Sequence, residues 1–255
     1  MTATARVTTD RIAATTPTSR WSVGPVAANP YPWPFDGSVD TTHLAVIFID
    51  WQVDFCGPGG YVERMGYDIA LTRVGLPATA RLLAHARATG MTVIHTREGH
   101  APDLGDLPAN KRWRSARIGA EIGGPGPCGR ILVRGEPGWQ IVPELAPEPG
   151  EFIIDKPGKG AFYATNLDLV LRTNEITHIV LTGITTDVCV HTTMREANDR
   201  GFECLVLSDC TAATERRHWE AALTMIHMQG GVFGATSTSE QFVDALRPLA
   251  GPVRA

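Results

Sequence analysis

Six short apolar runs, separated by stretches with helical periodicity, constrain this chain more than anything else in it. Residues 43–50 read HLAVIFID, a continuous run rich in β-branched residues that ends in an acid. That is the pattern of a strand buried on both faces. MTVIHT (91–96), EFIID (151–155), THIVLTG (177–183), ECLVLSD (203–209) and GVFGATST (231–238) repeat the theme. Between them, residues 76–89 place apolar side chains at helical spacing and stop at Gly90, a C-terminal helix signal. Residues 165–174, 188–199 and 216–228 read as further helices, and one more follows the last strand. This alternation predicts a three-layer, Rossmann-like α/β fold: a six-stranded, mostly parallel sheet with helices on both faces. The 255 residues suffice for one such domain, and no internal repeat marks a second. Residues 1–27 read as a flexible tail and 28–250 as the domain, with the proline-rich NPYPWPFDG (29–37) as an extended arm lying on the domain or on a neighbouring subunit.

Composition narrows the partners. A formal charge of -4 gives no attraction for nucleic acid or an anionic membrane. No apolar run approaches the roughly 20 residues that span a bilayer, so a small molecule is the expected partner. The start, MTATARVTTDRIAATTPTSR, lacks the apolar core of a secretory signal. Five cysteines, odd in number and without a CxxC pair, argue against a disulfide scaffold and for a reducing cytoplasm.

Ligands of parallel sheets bind outside the carboxyl ends of the strands, where the connection direction reverses. Asp50, Lys156 and Cys189 all fall at such ends. Cys189 opens a helix in GITTDVCVHTTMREAND (183–199). Backbone N–H groups there would favour the thiolate and could hold an oxyanion. A carboxylate such as Asp50 can take a thiol proton and return it to a leaving nitrogen, and an ammonium such as Lys156 favours the anion. Each residue alone also has a plainer reading: a core cysteine, a loop acid (a role Asp54 fills equally well), a solvated lysine. Cys204 and Cys210 read as core, while Cys56 and Cys128 lie in glycine-rich loops. Pro157-Gly158-Lys159-Gly160 lacks the spacing of a phosphate loop. The basic stretch Lys111-Arg112-Trp113-Arg114 reads as a packing or interface loop.

FIDWQVDF (48–55), IIDKPGKGAF (153–162) and GITTDVCVHTTMREANDRGFE (183–203) together resemble the isochorismatase-like cysteine hydrolases, over about residues 28–250. NPYPWPFDG, HTREGHAPDLGDLPANKRW (95–113) and GPCGRILVRGEPGW (126–139) more narrowly resemble the members that hydrolyse biuret. The resemblance implies a triad of Asp50, Lys156 and Cys189, a non-prolyl cis peptide at Ile184–Thr185, and an oxyanion hole made by the Thr185 and Cys189 amides. It further implies that Gln229 binds substrate and that Phe55 lines the pocket; without it they read as a helix-terminal polar residue and a core residue. Lys159 is a candidate partner for the distal carbonyl of the substrate, or a solvated loop lysine. The implied activity is conversion of biuret to allophanate and ammonia through a thioester, without a cofactor, in a homotetramer. Triuret and ureidoacrylate are alternative substrates, and an inactive binding protein is the alternative of another class. Trp51 and Tyr163 depart from residues common in relatives and could reshape the pocket. Nicotinamidase relatives begin a metal site with Asp-x-His; the similar place here is Glu98-Gly99-His100, without the later histidines, so no metal is expected.

Overall fold

The computed structural model describes residues 20–249. Apart from a short hairpin of Pro125–Gly126 and Gly129–Arg130, its strands are β1 (Trp21–Val23), β2 (Val39–Asp40), β3 (Leu44–Ile49), β4 (Thr92–Glu98), β5 (Phe152–Lys156), β6 (His178–Ile184), β7 (Glu203–Ala212), β8 (Ala235–Ser237) and β9 (Leu246–Pro248). The main sheet runs β8-β7-β6-β3-β4-β5, every neighbouring pair parallel. The expected fold class therefore holds, with six strands and no antiparallel member.

The all-apolar β3 shows why the layers form. Its six side chains are buried, and they alternate between two cores because successive strand side chains point to opposite faces. Leu44, Val46 and Phe48 join the core that contains Leu76, Leu82 and Leu83 of α2 (Leu76–Ala88). Ala45, Ile47 and Ile49 join the other, with Leu167 and Leu171 of α4 (Leu167–Thr173), Met194 and Ala197 of α5 (His191–Asp199), and Leu223 and Ile226 of α6 (Arg216–His227). Each large side chain buried in this way contributes about 1.5–3 kcal/mol of transfer free energy. Of the remaining helices, α1 (Val53–Cys56) and α3 (Ala109–Arg117) belong to loops above the carboxyl edge, and α7 (Ser239–Asp244) closes the chain.

Strand order sets the place of chemistry. From β3 the chain steps to β4 and β5 on one side, then returns to β6 on the other. The switch falls between β3 and β6, whose last residues are in register, Ile49 opposite Gly183. Gly183 has φ +127°, and a Cβ there would lie 2.2 Å from the Ile49 carbonyl oxygen. Only glycine permits this approach of the two backbones.

Two expectations change. Of the tail expected over residues 1–27, residues 1–19 lie outside the described residues, but Trp21–Val23 is not a tail. It pairs with both β2 and β9 in a small antiparallel sheet, Ser22 standing opposite Asp40 and Arg247. The arm folds back on its own domain: Val26 and Trp33 exchange backbone hydrogen bonds at 2.7 and 3.1 Å, and the buried Trp33 ring meets His178 edge-on. The sixth strand starts at Ala235 and not at residue 231, because Gly231 and Gly234 turn the chain with φ of 99° and 128°.

Candidate active site

Beyond β3 the chain turns sharply at Asp50, whose φ of 52° is left-handed, and the turn is closed by the Gln52 N–H on the Asp50 carbonyl at 2.7 Å. The Asp50 carboxylate is fully buried. Its Oδ1 accepts from Thr96 Oγ1 at 2.6 Å and its Oδ2 lies 2.7 Å from Lys156 Nζ. Lys156 ends β5 and is also fully buried; it donates to the carbonyls of Gly158 (3.0 Å) and Lys159 (2.9 Å), so the loop after β5 wraps its ammonium in oxygens. Burial works against that charge, but Asp50, Cys189 and Glu98 outweigh it and hold the ammonium well above the usual lysine range.

Cys189 belongs to a wide turn, Thr186–Val190, that leads from β6 into α5. This turn is a π-helical stretch continuous with α5, so residues 188–199 are helical throughout, as expected. The Ile184–Thr185 peptide is cis, as the resemblance implied. The Thr185 carbonyl accepts the N–H groups of Val188 and Val190, both at 3.2 Å. The Cys189 side chain is buried, and its Sγ lies 3.5 Å from Glu98 Oε2. Burial pushes the thiol well up; Lys156 and Lys159 pull it down, Asp50 and Glu98 add to the rise, and the net shift is upward. That direction is opposite to the one a helix start and a lysine alone would give. Desolvation of a buried anion exceeds what the nearby cations return.

Glu98 was missed as a site residue. It ends β4 opposite Lys156, fully buried, and it meets all three lysines of the cluster and the Cys189 sulfur. Its Oε1 accepts from Lys159 Nζ at 2.8 Å and Lys111 Nζ at 2.9 Å, while Oε2 lies 3.6 Å from Lys156 Nζ. Burial opposes its charge, but the three lysines hold its carboxyl far below the usual carboxylate range. Gln52 fixes it: the side-chain amide accepts from the Glu98 N–H at 2.6 Å and donates to the Glu98 carbonyl at 3.0 Å, extending the β3–β4 ladder by one rung. The available signal was position, since an acid at a strand's carboxyl end had already drawn attention to Asp50. Lys111 was equally missed. The stretch read as a packing loop is α3, and its lysine reaches inward to Glu98 and to the Pro157 carbonyl at 2.8 Å.

The nearest atoms of Asp50, Glu98 and Cys189 lie within 4.8 Å of one another, a donor set that could gather a cation. The Lys156 ammonium already stands against both carboxylates. His100 points elsewhere, its Nδ1 bonded to Asp106 at 3.2 Å.

An open cavity of about 560 Å3 shares Lys111 and Lys159 with this cluster and is lined also by Tyr61, Trp113, Pro157 and Tyr163, among others; Cys189, Asp50 and Lys156 lie behind its lining. Tyr163 is thus a wall residue, whereas Trp51 is buried in the apolar layer beneath. Phe55 does not reach the cavity wall; it is buried edge-on against Tyr61, their centroids 6.2 Å apart, and Tyr61 takes the position expected of it. Lys159 does join the site. Gln229 does not: it is exposed in the turn after α6, six residues before β8 begins. Since β8 runs parallel to β7, Gln229 stands at the amino end of the sheet, opposite the carboxyl edge that carries the cluster. A helix that crosses back over a parallel sheet delivers its C-terminus to that far end.

Comparison with known proteins agrees with this geometry. The isochorismatase domain family matches residues 44–250. A cysteine hydrolase from Pseudomonas syringae pv. phaseolicola 1448A is 26% identical, covering 81% of this chain and 95% of its own, with a TM-score of 0.68. An isochorismatase family protein from Desulfovibrio vulgaris subsp. vulgaris str. Hildenborough is also 26% identical, with coverages of 79% and 97% and a TM-score of 0.66. N-carbamoylsarcosine amidase from Thermoplasma acidophilum, 23% identical over 77% of this chain and 96% of its own, shares the fold at a TM-score of 0.59.

Proposed function

The chain belongs to the isochorismatase family, and within it we propose a cysteine-dependent amidohydrolase that converts biuret to allophanate and ammonia. The observation that carries this reading is the gathering of Cys189, Asp50 and Lys156 from three strand ends into one buried cluster below an open cavity. The narrower choice of biuret rests on the sequence resemblance.

In this mechanism substrate entry brings a terminal carbonyl against Cys189 Sγ. The thiol proton passes to Asp50 as sulfur attacks, and the Thr185 and Cys189 amides hold the oxyanion. Collapse expels the terminal nitrogen, which takes the proton from Asp50 and leaves as ammonia. Water then attacks the thioester, giving its proton to Asp50, and the second collapse returns that proton to sulfur with release of allophanate. Charge supports the sequence of events. The ammoniums of Lys111, Lys156 and Lys159 face the carboxylates of Asp50 and Glu98, an excess of one positive charge while sulfur carries its proton. Because the thiol proton stays in the cluster on Asp50, that excess persists while the oxyanion forms and faces the new negative charge. Lys156 holds the Asp50 carboxylate in position, and Lys159 is placed to meet the distal carbonyl.

Cys189→Ser tests the nucleophile. Ammonia release from biuret should fall by about 10³-fold or more with the fold intact; unchanged turnover refutes the assignment. A second reading, an anionic ureide such as ureidoacrylate, is favoured by Arg114 and Arg117, which line the cavity and pair with no carboxylate among the described residues. Ammonia release measured side by side from biuret, triuret and ureidoacrylate decides the substrate, and a kcat/KM highest for ureidoacrylate displaces biuret.

A further inference from the structure

The carboxylate that ends β4 has no place in the triad, yet the charged groups of the cluster are arranged around it. We propose that Glu98 is a positioning residue of the active site: through one oxygen it tethers the Lys159 and Lys111 ammoniums that line the cavity, and through the other it accepts from the Cys189 S–H and holds the sulfur in place until substrate arrives. This deepens the reading of Cys189 as nucleophile and rests on it.

The geometry divides the two oxygens cleanly. Oε1 accepts both cavity lysines, at 2.8 and 2.9 Å, and Oε2 meets the Cys189 sulfur at 3.5 Å. Lys111 and Lys159 are the same side chains that line the cavity, so Glu98 connects the wall that a substrate touches to the atom that attacks it. A free lysine carries much rotamer entropy; two of them pinned on one fixed carboxylate present their remaining N–H groups in a defined place. Pre-arranged donors of this kind are what a small, polar, planar substrate needs in order to be held at attacking distance. Glu98 is itself fixed on both sides of its backbone by Gln52. It cannot follow the lysines outward, and substrate must come to it.

The groups facing Cys189 are Asp50 after β3, Glu98 on β4, and Lys156 and Lys159 at and after the end of β5; Lys111 on α3 and Lys156 and Lys159 face Glu98. Among them the two carboxylates raise the thiol and the lysines lower it. Neutralising Glu98 therefore moves two properties in opposite directions. A merely structural ion pair would move them together, because loss of packing would degrade reactivity and turnover alike.

The test uses the full chain and two readouts in Glu98→Gln, Glu98→Asp and the parent. One is the pH dependence of Cys189 alkylation by iodoacetamide, itself a small primary amide, followed by peptide mass spectrometry; the other is steady-state ammonia release from biuret. In Glu98→Gln the alkylation midpoint should move down by about one pH unit, while kcat/KM falls roughly 100-fold; Glu98→Asp should recover part of both. A midpoint that stays in place, or turnover within about threefold of the parent, overturns the proposal. If Glu98→Gln does not fold, Lys159→Met replaces it: loss of that ammonium should raise both the alkylation midpoint and the KM for biuret, and a KM unchanged in Lys159→Met is equally fatal. Alkylation reads the Glu98–Cys189 contact even in a protein that does not cleave biuret, so failure of this proposal and failure of the nucleophile assignment are distinguishable.

Discussion

Lys156 shows how much of this site is an electrostatic solution to a burial problem. Its ammonium, with no exposed surface, answers Asp50, Glu98 and two carbonyls at once. Removing one partner of such a group leaves the others charged and dry, which costs more than the pair itself contributes. Lys156→Met should therefore abolish the proposed biuret hydrolysis and also destabilise the protein by about 3–5 kcal/mol, read from the urea midpoint. Adding Asp50→Asn should return part of that loss, since it removes a carboxylate the lysine had balanced. A single variant as stable as the parent would show the cluster to be far wetter than its burial indicates. Trp51 and Tyr163, both unusual beside their motifs, separate at this scale: one packs in the layer below, the other borders the cavity.

At the scale of elements, the sheet edge is fastened away from the chemistry as well as at it. Glu151, just before β5, accepts from Arg87 of α2 at 2.7 Å, from His95 of β4 at 3.0 Å and from the Glu148 N–H at 2.8 Å. Burial opposes its charge, but these bonds bring its pKa down to about 2. A carboxyl depressed on folding contributes stability that is complete above its unfolded value near 4.3 and is lost as pH falls through the folded one. Thermal stability of the parent should thus drop between about pH 4.3 and 2, and Glu151→Gln should be less stable at pH 7 with a flatter acid limb. Parallel curves for the two proteins would remove Glu151 from the account. The same reasoning links helix to site in α3, where one inward lysine makes a mostly exposed basic helix part of the cavity lining.

For the whole molecule, no helix among the described residues is long and apolar enough to cross a membrane. The homotetramer implied by the resemblance is a proposal. Light scattering should give four times the mass of the chain, and a monomer's mass at assay concentration would exclude the assembly. Gln229, at the amino end of the sheet, can meet substrate only by way of another copy, so the same measurement bears on its role.

The amino-acid sequence by itself determined the layers and three of the site's members. A strand buried on both faces must be apolar throughout, and a parallel sheet opens its ligand crevice at the carboxyl ends, so Asp50, Lys156 and Cys189 were legible from local pattern and motif. What only the tertiary structure decided depends on neighbours distant in the chain. Strand order placed β3 between β4 and β6 and so carried Glu98 and Lys111 into the cluster, while the crossover of α6 carried Gln229 to the far end. The burial that works against a charge on Cys189 belongs to the same class: desolvation is a property of everything packed around a group, and no spacing along one chain reports it.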